Sequence, residues 1–120
     1  MPAELPGART RAERFDEVVL DAVERLERRW REELAPIEFA VEDVPPADVS
    51  AWERAEVVLG RFFPAGRGLR PRVVLYRRPV ETRAADEAEL ADLVHEVVVE
   101  QVASALSVPP EQVDPDYHRD

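Results

Sequence analysis

Glu100, Gln101 and Ser104 stand at i, i+1 and i+4 of the run Glu100-Gln101-Val102-Ala103-Ser104, late in a long apolar segment. On a helix, positions i and i+4 share one face and can close on a single metal ion. The residue after the first can then hold a base against a metal-bound water. That chemistry asks for imidazoles at the two ends and a carboxylate beside the first. Here the ends are a carboxylate and a hydroxyl, and the middle residue is an amide. Glutamate can bind zinc, serine is a poor ligand, and a glutamine amide cannot take up a proton from water. The spacing of a hydrolytic metal site is present without its chemical groups.

Other groups could in principle replace them. His95-Glu96 lies just upstream, but His95 falls about 140° around the helix from Glu100 and cannot close on the same ion unaided. Glu96 and Glu100 are four apart on a partly exposed edge. Two carboxylates make at best a weak site for a hard cation, and as solvated glutamates they need no ion. Asp114 or His118, both near the polar C-terminus, would have to complete such a set. Gly66-Arg67-Gly68 lacks the Lys-Ser/Thr ending of a phosphate loop. No nucleophile-elbow motif is present.

The elements that must position these residues are legible from periodicity. Thr10 and Glu13 form a capping box. Phe15, Val19, Val23, Leu26, Trp30 and Leu34 then recur at helical spacing, which predicts a helix over 11–34 with an Arg/Glu outer face. Pro36 ends it. Residues 37–44 alternate as a half-buried strand until Pro45-Pro46. A polar loop holding Trp52 leads to a second strand over 56–63, weakened by Gly60. Arg72-Val73-Val74-Leu75-Tyr76 is a third, and its unbroken apolar run predicts a central position buried on both faces. Pro79 starts a helical turn over 80–84. Asp86 and Glu89 cap a second long helix that runs to about Ser107, where Pro109-Pro110 stops it. Its predicted core stripe is Leu90, Ala91, Val94, Val97, Val98, Val102, Ala105 and Val108, with Gln101 near the middle. The fold class is α+β: two long helices on a small mixed sheet of three or more strands. The domain spans 10–114 between tails at 1–9 and 115–120.

Composition narrows the partners. The net charge is −10, which disfavours phosphate backbones and anionic lipid heads, so neither nucleic acid nor membrane is an expected partner. All 16 basic residues are arginine and cysteine is absent, so there is no disulfide framework and no thiolate metal site. No basic region followed by an apolar run opens the chain, which predicts a cytoplasmic protein.

Three segments carry a resemblance. They are Val41-Glu42-Asp43-Val44-Pro45-Pro46, then Leu59-Gly60, then Val73-Val74-Leu75-Tyr76-Arg77-Arg78-Pro79-Val80-Glu81, in that order before the last helix. With them the chain resembles the small bacterial zincin-like metallopeptidases, single-domain proteins whose last helix bears His-Glu-x-x-His-x-x-Gly. The resemblance covers about residues 12 to 114 and implies a minimal zincin-like domain. It places Glu100 and Ser104 on the zinc histidines, Gln101 on the general base and Ser107 on the glycine. The family's third ligand, an acidic residue further on, falls near Pro110. The expectation is therefore a catalytically inactive homologue that binds a peptide or protein partner, or regulates an active relative. The family's zinc is lost and no cofactor is expected. The alternatives are a metal-dependent hydrolase with a carboxylate site built on Glu96 and Glu100, and a self-associating protein that docks through the charged first helix.

Overall fold

The computed structural model describes residues 10–46 and 58–117. The tail over 1–9, Trp52 and His118 lie outside the described residues. Helix α1 spans Arg11–Leu34, and its start is the capping box expected from sequence. Thr10 Oγ1 accepts from the Glu13 N–H, and the Glu13 carboxylate accepts from the Thr10 N–H, both at 3.0 Å. Three strands follow, β1 (Glu38–Glu42), β2 (Gly60–Phe63) and β3 (Arg72–Tyr76). The chain closes with α2 (Arg77–Arg83), α3 (Glu87–Leu106) and α4 (Pro110–Val113).

The sheet order is β1-β3-β2, with β1 parallel and β2 antiparallel to β3. The central place predicted for β3 is borne out. Val73 and Leu75 point into the helical core, while Val74 and Tyr76 are buried on the opposite face. β3 spans its expected residues, and β1 is shorter than its apolar pattern suggested. β1 stops at Glu42 because the Asp43 carbonyl turns away to accept from the Arg78 N–H at 3.0 Å. Helix α2 begins at Arg77 rather than near Val80. Pro79 then sits in the first turn, where its missing N–H is not needed.

Helix α3 packs against α1, β2, β3 and α4. That multiplicity corrects the predicted core stripe. Val94, Val97, Val98 and Val102 are buried as expected, but so are Val99 and Ala103, while Ala91 is exposed and Gln101 half-buried. A helix covered from several sides buries a broader arc than one stripe, and Gln101 falls at its margin.

Gly60 lets α3 approach the sheet. A Cβ there would sit 2.8 Å from Val97 Cγ1 and 3.1 Å from the Val74 carbonyl oxygen, with Gln101 Cγ at 3.5 Å. Val97 is 2 % exposed and has no free space to yield. The glycine that weakened the strand in sequence is what seats the helix on it. Among the described residues no helix is long and apolar enough to cross a membrane.

Candidate functional site

The residues at metal-site spacing lie late on α3, and their burial falls off in order around the helix. Val98, Val99 and Val102 are buried, Glu100 and Gln101 are half-buried, and Ser104 is exposed. Gln101 lies with its stem beside Gly60 at the β2 edge. A fully buried amide would require protein partners; a half-buried one can keep water, so the geometry removes that demand.

Glu100 is engaged by the C-terminal segment. Tyr117 Oη donates to Glu100 Oε2. Tyr117 is 8 % exposed and belongs to the core cluster, so packing holds its ring as well as the hydroxyl. The packed chain thus continues to Tyr117, three residues beyond the 114 boundary expected from sequence. His95 and Glu100 are not brought together, as the helical geometry required. Instead His95 Nε2 lies 2.6 Å from Asp114 Oδ2, with side chains 17 % and 13 % exposed. Asp114 Oδ1 also accepts the Asp116 N–H at 2.9 Å. Asp114 had been a candidate to complete a carboxylate set with Glu96 and Glu100; it is committed to His95.

Burial alone would push the Asp114 carboxyl up. The hydrogen bond from His95, the Asp116 N–H and the charges of His95 and Arg25 outweigh it and hold Asp114 below the usual carboxylate range. His95 Nδ1 is buried and has no hydrogen-bond partner among the described residues. A further anchor comes from α1, which kinks at Trp30 (φ −121°, ψ 30°) and donates its indole N–H to the Val113 carbonyl at 3.0 Å. The segment from Pro110 to Tyr117 is therefore clasped to both long helices.

Sequence reasoning missed Tyr117. Its signal was available: Val113 and Tyr117 are four apart after the Pro109-Pro110 turn, and one is apolar and the other amphipathic, which suits a short segment folding back over a core.

These residues do not fit a zinc ion. Ser104 is exposed and a poor ligand, Glu100 accepts a tyrosine hydroxyl, and His95 is turned to Asp114. Among the described residues, no group of three or more His, Cys, Asp or Glu side chains could hold one ion.

A second cluster lies at the C-terminal ends of β1 and β3. Arg77 donates from Nε and Nη2 to Asp43 Oδ1 at 3.2 and 3.1 Å, and from Nη1 to Glu81 Oε1 at 3.1 Å. It joins the end of β1 to α2. The Tyr76 N–H donates to the Leu59 carbonyl at 3.0 Å, so all three segments that carried the sequence resemblance meet around the end of β3.

Comparison with known proteins gives the family. The family model described as zincin-like metallopeptidase matches residues 34–118, from the last residue of α1 to just beyond the clasp. No curated protein matches the chain.

Proposed function

The chain belongs to the zincin-like metallopeptidases, and we propose that it is a member that binds a peptide or protein without cleaving it, or regulates an active relative. One observation carries the reading: the run Glu100-Gln101-Val102-Ala103-Ser104, which the resemblance sets on the metal ligands and base of the family's motif, holds no histidine, and the Glu100 carboxylate is occupied by the Tyr117 hydroxyl. Hydrolysis by such a site needs a metal-activated water and a group to accept its proton. Gln101 cannot accept that proton, and Ser104 contributes no useful ligand field. Loss of zinc and a cytoplasmic setting are parts of the same proposal.

The test is metal content and hydrolysis measured together. The purified protein is expected to hold well under one equivalent of zinc after dialysis against it, and to leave a mixed peptide library intact. Stoichiometric zinc with chelator-sensitive cleavage would overturn the reading. Stoichiometric manganese or calcium would favour the carboxylate site on Glu96 and Glu100 instead.

A further inference from the structure

A second surface lies away from α3, where α1 overhangs the edge of the sheet. A groove of about 520 Å³ runs between them, lined by Asp16, Val19, Leu20 and Val23 of α1 and by Phe39, Ala40 and Val41 of β1. Val19 and Val23 form its floor, and Leu20, 57 % exposed, stands at its lip. β1 is an edge strand, with β3 on one side and no described strand on the other.

The register fixes what that edge offers. Glu38 donates its N–H to the Pro71 carbonyl at 2.9 Å. Parallel pairing uses alternate residues, so Glu38, Ala40 and Glu42 turn their backbone groups toward β3. Phe39 and Val41 turn theirs to the open side. The side chains divide the other way. Phe39 and Val41 pack on the helical core, and Glu38, Ala40 and Glu42 lie on the opposite face. A strand added at this edge would place one set of side chains beneath α1, against Val19, Leu20 and Val23, and the alternate set beside Glu38 and Glu42.

Charge chooses the occupant. Asp16 and Asp21 are exposed on α1 on either side of Leu20, and Glu38 and Glu42 are exposed at the strand ends. Arg72 lies between the two glutamates, 3.8 Å from Glu38 Oε1 and 3.6 Å from Glu42 Oε2, and offsets only part of their charge. A second copy of β1 pairing antiparallel would set Glu38 against Glu42, and like charges opposite each other are destabilising. A basic strand meets the reverse situation. We propose that this groove binds an extended protein segment by strand addition, with apolar residues facing α1 alternating with basic residues facing Glu38 and Glu42. The surface is separate from the Glu100 region and does not depend on whether that region has lost its chemistry.

The probe is a fluorescein-labelled peptide of alternating valine and arginine, about eight residues long, a typical strand length. Fluorescence anisotropy on the full chain is expected to show saturable binding that weakens with salt. An alternating valine–glutamate peptide, and a valine–arginine peptide with proline at alternate positions, should each bind at least about tenfold more weakly. The double variant Asp16→Arg, Leu20→Arg should lose a similar factor while its thermal unfolding is unchanged, since both residues are exposed. Amide exchange at Phe39 and Val41 should slow on adding the peptide. Equal binding of the proline peptide, unchanged exchange at those two amides, or full affinity in the double variant would each overturn strand addition. A dimer seen by light scattering and abolished by Leu20→Arg would assign the edge to a second copy and overturn the choice of partner.

Discussion

Arg77 and Glu100 each tie together parts of the chain that are distant in sequence, and they do it differently. Arg77 is 14 % exposed and spreads one guanidinium over Asp43 and Glu81, joining a strand end to a helix start. Its partners lie in two of the segments that carry the sequence resemblance. On the proposed reading Glu100 stands where the family's motif has a histidine; its partner is a phenol from the C-terminal segment. The first arrangement keeps the fold's framework; on that reading the second fills a position from which the usual group is missing. The physical reason both can coexist lies in α3. The helix is held by Val94, Val98 and Val102, all fully buried, and by the close approach at Gly60. The positions at metal-site spacing lie on its margin, from half-buried Glu100 to exposed Ser104. A scaffold whose cohesion comes from one face of a helix can change the chemistry of another.

If that contrast is right, the largest loss of stability should come from the framework side. Arg77→Ala removes three hydrogen bonds and leaves the Asp43 and Glu81 carboxylates facing each other without their cation. Arg77 and Glu81 are mostly buried while Asp43 is 61 % exposed, so losing the shared cation costs about 2–3 kcal/mol, mainly through the Glu81 side. Urea denaturation should show that loss at neutral pH, and a change below about 1 kcal/mol would break the comparison.

The clasp should contribute less, and its contribution should depend on pH. Asp114 has a folded-state pKa held below its ordinary value, so its stabilisation is complete above the unfolded carboxylate pKa of about 3.9 and is lost as pH falls through the depressed value. Asp114→Asn is expected to cost about 1–2 kcal/mol at pH 7, because a partly screened charged hydrogen bond is removed. The gap between wild type and variant should then close below about pH 4. A gap independent of pH from 7 to 3 would mean that Asp114 acts by shape alone. Tyr117→Phe, which keeps the ring and deletes the hydroxyl, should cost about 1 kcal/mol. Its effect should vanish in a Glu100→Ala background only if Glu100 is the hydroxyl's true partner, which a double-mutant cycle measures directly.

The framework was largely legible in the sequence because it is written in local signals. The Thr10 and Glu13 cap, the Leu26 to Leu34 periodicity and the apolar run Val73-Val74-Leu75 each speak for their own element. The clasp was not, because it depends on contacts across 17 and 19 residues that no periodicity encodes. A polar run after Pro109-Pro110 reads as a loose end until Val113 and Tyr117 are seen to share a face. The width of the buried arc on α3 was equally hidden. It depends on how many neighbours surround the helix, and a helical wheel shows only the best single stripe.

The smallest expected effect is a gain, and it probes the same contrast at the end of α3. Ser107, which the proposed alignment sets on the family's glycine, adopts φ 58°, ψ 44°. Its N–H bonds back to the Ala103 and Ser104 carbonyls, and the Val108 N–H reaches the Ala103 carbonyl at 3.0 Å, the closing pattern of a Schellman motif. A left-handed residue with a Cβ costs roughly 1–2 kcal/mol relative to glycine. Glycine returns part of that as extra freedom in the unfolded chain. Ser107→Gly should therefore stabilise the protein by about 0.5–1 kcal/mol, or raise Tm by roughly 2–5 °C in a domain of this size. On the proposed reading the helix end would then have kept its backbone while losing the residue that suits it, as the Glu100 region keeps a helix without the family's ligands. A lower Tm in Ser107→Gly would show that the serine itself holds the helix end, and the parallel would fail there.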